Sequence, residues 1–151
     1  YDAKHRPGGV IQLFDAGYRD AARQRRKLER DLRSALSRGE FFLVFQPIFN
    51  LQTKRIAGCE ALLRWRHPHL GVRLPDEFMK TMEETTLITK VGQWVLAEAC
   101  KTAVTWPGNM RVAVNVSAVQ LQNAKLLSSI VNALNVSTLS PGRELSRSML
   151  K

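Results

Sequence analysis

Residues 41–66 read FFLVFQPIFNLQTKRIAGCEALLRWR, and this stretch decides the fold. Its first half, Phe41–Phe49, is almost wholly apolar, with Pro47 close to its end. Polar turn-forming residues follow at Asn50–Lys54, and Ile56–Trp65 is a second apolar run. Two apolar runs joined by a short polar segment predict a β-hairpin.

The chain after the hairpin alternates between helical and extended patterns. Arg66–Leu74 predicts a loop, and Pro75 is well placed in the first turn of a short helix. Apolar residues at helical spacing from Ile88 predict a second helix to about Trp106. Val112–Val116 then predicts a short buried strand of the parallel type, and Ser117 caps one continuous helix after it. This order predicts an α/β fold with a βαβ unit.

The chain before the hairpin has a different character. Val10–Phe14 is a short strand-like apolar run, and Asp15 can cap a helix that continues to about Arg38 before Gly39 ends it. The spacings of three and four residues from Tyr18 onward fit either a single amphipathic linker helix or one strand of a coiled coil. Both alternatives stay open.

Composition narrows the class of protein. With 151 residues, 44% hydrophobic and 24% charged, the chain fits one ordinary domain or a small domain with an appendage. No run is long enough to cross a bilayer, and no secretory signal is present. Cys59 and Cys100 lie in apolar surroundings without metal-ligand spacing, which predicts reduced core thiols and a cytoplasmic protein.

A net charge of +10 favours anionic partners. Much of the excess lies in the helix before the hairpin, so a basic module that binds nucleic acid or anionic lipid is one candidate function. No aromatic residues interleave with the basic residues of Arg19–Arg38, which argues against specific nucleic-acid binding. The three tryptophans instead predict core packing.

Two polar residues interrupt apolar strands. Glu60 stands in the second run of the hairpin, where a carboxylate is costly unless it has a partner. It is either an ion-pair partner of Arg64 or Arg66, or a metal ligand at the carboxyl end of a barrel strand. Asn115 interrupts the next strand, where such residues are more often helix-entry caps or hydrogen-bonded core residues.

A further pair could bind metal. His67 and His69 flank Pro68, but their place among several arginines favours a solvated loop.

Several strings together resemble one known family. Phe45–Ile48 reads FQPI, Gly58–Pro68 reads GCEALLRWRHP, and Val114–Ser117 reads VNVS. These are similar to the strings of EAL domains, a family of cyclic di-GMP phosphodiesterases and their inactive relatives. The resemblance implies a TIM-like (β/α) barrel, and residues 1–14 resemble the last helix and strand of a GGDEF (diguanylate cyclase) domain. The implied organisation is a GGDEF remnant at 1–14, a helical linker at 15–39 and an EAL domain from 40 to 151.

The same resemblance implies roles for five residues. Glu60 and Asn115 are expected to be ligands of a Mg or Mn ion. Gln46 is expected to contact the bound dinucleotide and Arg64 its phosphate, while Leu62 lines the pocket on the guanine side. A divalent ion on such oxygens would polarise the phosphodiester and supply a hydroxide near neutral pH.

The chain also departs from the family. Barrels of this kind usually need about 200–250 residues, and 111 remain from Phe41 onward. The acidic strand that relatives carry after Arg143 is missing. We therefore expect an incomplete barrel that is catalytically inactive as this chain and does not bind the ion stably. The alternative is an active phosphodiesterase whose barrel is completed by a longer chain or by oligomerisation.

An incomplete barrel also has a physical consequence. The strand at Asn115 is expected to form an open sheet edge, which invites self-association.

Overall fold

The computed structural model describes residues 9–140 and 146–147, and the side chains of residues 19–140. A long helix comes first, and a mixed sheet with helices on one face follows. The elements in chain order are α1 (Gly9–Ala35), β1 (Phe41–Asn50), β2 (Arg55–His67), β3 (Gly71–Arg73), a 3₁₀ turn (Pro75–Glu77), α2 (Met79–Glu84), α3 (Leu87–Ala103), β4 (Arg111–Val114), α4 (Ala118–Leu121), α5 (Leu126–Ser137) and β5 (Ser146–Arg147).

The predicted hairpin is confirmed. Strands β1 and β2 pair antiparallel, with Phe41 opposite Trp65 and Gln46 opposite Glu60. Asn50 shapes the turn, because its Oδ1 accepts hydrogen bonds from the backbone N–H groups of Gln52 and Thr53 at 2.9 and 3.0 Å. Such side-chain to backbone bonds are the reason that asparagine is common in turns.

The βαβ unit is confirmed as well. Strand β4 pairs parallel to β2, after a crossover through α2 and α3. Strand order is β1-β2-β4-β5, with β3 attached to the far end of β2. This arrangement, open rather than closed, is what the first part of a (β/α) barrel would form.

The hydrophobic core lies between the sheet and the helices. Helix α3 buries Val91, Val95 and Ala99 along one face, and the strands contribute Val112 and Val114. A second part of the core is aromatic, as predicted for the tryptophans: the fully buried Trp65 packs edge-on against Phe78 with ring centroids 5.7 Å apart. Such edge contacts are favoured by the ring quadrupole.

Helix α1 belongs to this core through its last turns. Leu32 and Ala35 are buried against the rest of the chain. Closer to the start of the helix, Arg25 forms an ion pair with Glu84 of α2 at 2.6 Å. The apolar side of this part of the helix is therefore used within one chain, which favours the single amphipathic linker helix over the coiled coil.

Five expectations about local structure are wrong. Val10–Phe14 lies within α1 and is not a strand, and Asp15 is an interior helix residue. A short apolar run fits both the helical and the strand periodicity, so the length of the whole element decides between them. Here the helix is 27 residues long. The expected loop Arg66–Leu74 contains the end of β2 and all of β3. Residues 1–8, which the GGDEF resemblance includes, lie outside the described residues.

The other two differences concern the end of the chain. The single helix expected after Ser117 is broken into α4 and α5, since Asn123 turns the chain by accepting a bond from the N–H of Lys125 at 2.9 Å. The expected open edge at β4 is paired, because Ser146–Arg147 adds a parallel strand there.

Candidate functional site

The polar residues of β1 and β2 share one face of the sheet. Side chains alternate along a strand, so Glu60, Leu62 and Arg64 point to the face opposite Ala61 and Trp65, which are buried in the core. Gln46 is exposed and lies directly opposite Glu60 in the antiparallel register.

Strand β4 brings Asn115 to the same face. Glu60 is in register with Ala113, and Asn115 follows two residues later, just beyond the end of the strand. The Asn115 side chain contacts Glu60 directly: its Nδ2 donates a hydrogen bond of 2.6 Å to Oε1 of the carboxylate. Two residues 55 positions apart in sequence thus form one polar pair where the parallel ladder of β2 and β4 ends.

The expected ion pair of Glu60 is not formed. Among the residues whose side chains are described, no salt bridge joins Glu60 to an arginine. Arg64 donates instead to the carbonyl oxygen of Leu63 at 2.7 Å, and the Arg66 guanidinium lies 4.8 Å above the Phe42 ring. The carboxylate therefore keeps its charge available for another partner.

A glycine makes this close approach of the two strands possible. Gly58 is buried opposite Arg111, and a Cβ at position 58 would collide with the Arg111 carbonyl oxygen. Any side chain at this position would force β4 away from β2. The proximity of Glu60 and Asn115 thus depends on Gly58, which the sequence analysis did not single out.

Leu62 lines an apolar cavity of about 110 Å³ beside the pair. The cavity lies on the helix side of the sheet, between the middle of β2, the end of β4 and helix α3, and Asn115 forms part of its wall. Gln46 and Arg64 do not line it. Of the five predicted residues, Glu60 and Asn115 contact each other, and Gln46 lies opposite Glu60 on the neighbouring strand. Leu62 lines the same cavity as Asn115. Arg64 follows Leu62 by two residues and lies on the same face of β2.

Gln120 is a supporting residue that the sequence analysis missed. It is buried, its Oε1 accepts a hydrogen bond from the Ser117 backbone N–H at 3.1 Å, and its own N–H donates to the Ser117 hydroxyl at 3.3 Å. This reciprocal capping box holds the start of α4 directly after Asn115. The motif was visible in the sequence as a serine followed three residues later by glutamine.

The expectation of a solvated histidine loop is wrong for His67. Its side chain is buried, and its Nε2 lies 3.4 Å from Oδ2 of Asp31 in α1. Its Nδ1 accepts hydrogen bonds from the backbone N–H groups of His69 and Leu70 at 3.1 and 3.2 Å. Both ring nitrogens are engaged, so His67 ties α1 to β2, whereas His69 is exposed.

The two cysteines are free and buried, as expected. Burial raises the pKa of both thiols, and for Cys100 this effect outweighs an opposing hydrogen bond with Ser137. A neutral thiol is a poor nucleophile and a poor metal ligand. Cys59 therefore takes no part in the site, although it is the neighbour of Glu60 in sequence.

The polar pair offers oxygen donors to a divalent cation. Glu60 and Asn115 offer a carboxylate and an amide oxygen, the donors that Mg and Mn prefer. In the structure the amide nitrogen faces Glu60, so a shared ion requires the amide to turn its oxygen inward. Within the described part of the chain no group of three or more His, Cys, Asp or Glu residues could hold a metal. The residues fit part of an oxygen-ligated site.

A known protein family matches most of the chain. The EAL domain family matches residues 29–146. The uncharacterized protein y4lL of Sinorhizobium fredii is 40% identical over 98% of this chain and 18% of that protein. The bifunctional diguanylate cyclase/cyclic di-GMP phosphodiesterase MucR of Pseudomonas aeruginosa is 37% identical over 93% of this chain and 21% of its own length. The chain thus spans about a fifth of these curated relatives.

A solved structure agrees with the sequence match. The MucR phosphodiesterase in complex with c-di-GMP superposes with a TM-score of 0.74 at 40% identity, over 76% of this chain and 48% of that one. The predicted fold class, the open first part of a TIM-like barrel, is confirmed. No helix in the described residues has the length and apolar character needed to span a membrane. The chain belongs to the EAL domain family.

Proposed function

We propose that the face carrying Glu60 and Asn115 is one half of a binding site for cyclic di-GMP and a Mg or Mn ion. The observation that supports this most strongly is the 2.6 Å contact between the two side chains where the parallel ladder of β2 and β4 ends. Polar groups gathered there are typical of active sites in α/β barrels. A carboxylate that has no cationic partner among the described side chains, adjacent to an amide, suits a divalent ion.

Each residue of the half-site would have a distinct task. The Glu60 carboxylate and the Asn115 amide oxygen would hold the ion, which when bound polarises the phosphodiester and lowers the pKa of a coordinated water. Arg64 would offset phosphate charge. Leu62, on the same face of β2 as Glu60, would line the pocket on the guanine side, and the exposed Gln46 amide would hydrogen-bond to the dinucleotide.

The number of donors limits what this half-site does alone. Magnesium takes six oxygen ligands and usually keeps several waters, and the described residues supply two. We therefore expect the 151-residue chain to bind cyclic di-GMP weakly without hydrolysing it. Hydrolysis to the linear dinucleotide is the expected activity of a longer chain or an oligomer that adds the remaining ligands.

The domain boundaries and the location in the cell stay predictions. We propose a linker helix over 15–39 ahead of an EAL domain from 40 to 151; the family match begins at residue 29, inside α1. A GGDEF remnant at 1–14 draws support from the bifunctional name of MucR, which aligns with 93% of this chain. Two free buried thiols are typical of a cytoplasmic protein.

The test is a titration of the 151-residue chain with cyclic di-GMP in the presence of Mn, by calorimetry. Glu60→Gln removes the charge while keeping the shape, so binding should weaken at least about tenfold, as expected for a lost charged contact. Glu98→Gln on α3 removes the same charge outside the site and should leave binding unchanged. Equal affinity for wild type and Glu60→Gln, or no binding by the wild type, would contradict the proposal.

A hydrolysis assay separates the two activities. Product formation by the 151-residue chain that Glu60→Gln abolishes would show that the half-site is completed by oligomerisation. Product formation that survives the substitution would place the chemistry elsewhere.

A further inference from the structure

The exposed side of α1 carries an unbroken row of arginines. Between Arg19 and Arg38 the chain has eight basic and three acidic residues. Five of the arginines recur at spacings of four, three, four and three residues, and all five are exposed. They are Arg19, Arg23, Arg26, Arg30 and Arg33, which we call the arginine row.

Helical geometry places this row on one line. At 3.6 residues per turn its members lie within about 80° of one another, and at 1.5 Å per residue the row is about 21 Å long. The same geometry puts the row on the side of the helix opposite Leu28, Leu32 and Ala35, which pack into the core. The acidic residues Asp20 and Asp31 fall outside it.

The middle of the row has no acidic partner among the residues whose side chains are described. Arg33 pairs with Glu29 at its edge, at 2.6 Å. In the part of the chain whose side chains are described, Arg23, Arg26 and Arg30 form no ion pair, and neither does the adjacent Lys27. By contrast, Arg25 points to the protein body, where it meets Glu84. Positive charge is thus concentrated on the solvent side.

We propose that the arginine row adsorbs the protein onto the surface of an anionic phospholipid bilayer. Clusters of four to eight basic residues on a helix are attracted to anionic lipid headgroups. A straight row about 21 Å long can touch a flat surface along its whole length. The apolar side of the helix is already buried in the protein, so contact is electrostatic and does not involve insertion.

A nucleic acid fits the row less well. Sequence reading needs side chains that match base edges, and single strands are bound by stacking on aromatic residues. The exposed row offers only guanidinium groups. A duplex backbone also winds away from a straight helix, which leaves some of the arginines without phosphates.

The experiment is vesicle co-sedimentation of the full chain. Vesicles of phosphatidylcholine are compared with vesicles containing about 30 mol% phosphatidylglycerol, at about 0.05 and about 0.5 M NaCl. We expect binding only to the anionic vesicles, and only at the lower salt concentration. Pelleting with neutral vesicles, retention at high salt, or no binding at all would overturn the proposal.

Matched variants assign the effect to the row. The triple variant Arg23→Gln, Arg26→Gln, Arg30→Gln should lower partitioning about a hundredfold, because each basic residue near an anionic surface contributes about fivefold. The triple variant with glutamine at Lys80, Lys90 and Lys101 loses the same charge from α2 and α3 and should retain most of the binding. Equal losses in the two triple variants would show an effect of net charge and refute the assignment.

Two controls complete the design. The substituted arginines are exposed, so the circular dichroism spectrum and melting temperature should be unchanged. Tighter binding to a short DNA duplex than to anionic vesicles at the same salt, lost in the arginine variant, would assign the row to nucleic acid instead. The inference does not depend on the cyclic di-GMP site, because none of the variants alters that site.

Discussion

Gly58→Ala should disturb both the stability of the sheet and the polar pair of the candidate site. The added methyl carbon would lie 2.9 Å from the Arg111 carbonyl carbon and 3.1 Å from its Cβ, and closer still to its carbonyl oxygen. Carbon atoms in contact are normally about 3.5–4.0 Å apart. Strand β4 must therefore retreat by at least about 0.5 Å at a buried backbone position.

The cost of this displacement can be estimated. Overpacking a buried position lowers the free energy of unfolding by about 1–3 kcal/mol, and here the obstacle is backbone. A loss of about 2–3 kcal/mol should lower the melting temperature by about 5–10 °C for a chain of this size. Thermal denaturation followed by circular dichroism measures the change.

The effect on the site needs a separate measurement. A double-mutant cycle of Glu60→Ala and Asn115→Ala should give a coupling energy of about 1 kcal/mol, typical of a partly exposed hydrogen bond to a charged group. The hydrogen bond is 2.6 Å long, so separation of the strands by several tenths of an ångström or more should weaken it. In the Gly58→Ala background the coupling energy should fall towards zero.

Gly71→Ala is the matched control. Position 71 has a φ of +71° and open space around its Cβ direction. The substitution should cost about 1 kcal/mol through backbone strain alone and leave the coupling energy unchanged. If Gly58→Ala keeps the full coupling energy, or melts like the wild type, then the close approach at Gly58 does not position the pair.

Three other predictions concern the core and the linker helix. Leu32→Ala should lower the free energy of unfolding by about 2–5 kcal/mol, because Leu32 is fully buried; urea denaturation measures this, and a loss below about 1 kcal/mol would show that α1 does not pack as described. Asp31→Ala removes the partner of His67 and should cost about 1 kcal/mol, whereas Asp31→Asn keeps an acceptor oxygen and should cost less; equal losses would argue against the contact. Burial raises the pKa of Cys100 above its ordinary value of 9.0. Its contribution to stability is therefore complete below that pH and is lost as the pH rises through the raised pKa. Above the ordinary pKa of 9.0, the urea midpoint should fall with rising pH in the wild type and fall less in Cys100→Ala.

Local elements with a strong pattern were predictable from the sequence. The hairpin followed from two apolar runs around Asn50, and β4 from the run after Arg111. Boundaries were less predictable where a short apolar run fits two periods, as at Val10–Phe14. The break between α4 and α5 depends on one side-chain to backbone bond at Asn123, which periodicity does not reveal.

The candidate site, too, was predictable from the sequence only in part. Glu60 and Asn115 could be singled out because each puts a polar group into an apolar strand. The resemblance to EAL domains then predicted that both are ligands of one metal ion. Their contact could not be derived, since it depends on a parallel register between strands separated by two helices. The choice between Asn115 and an arginine as the partner of Glu60 likewise depends on where the packed backbone directs Arg64.

By itself, the sequence determined the hairpin, the βαβ unit, the family and the residues that interrupt the apolar strands, because each of these is carried by a pattern along the chain. Only the tertiary structure decided that Gly58 permits β2 and β4 to come close, that His67 is buried against Asp31, and that the arginines of α1 face solvent in a row. Those properties depend on which surfaces meet after packing. Packing brings together residues that lie far apart in the sequence, so no local pattern predicts their contact.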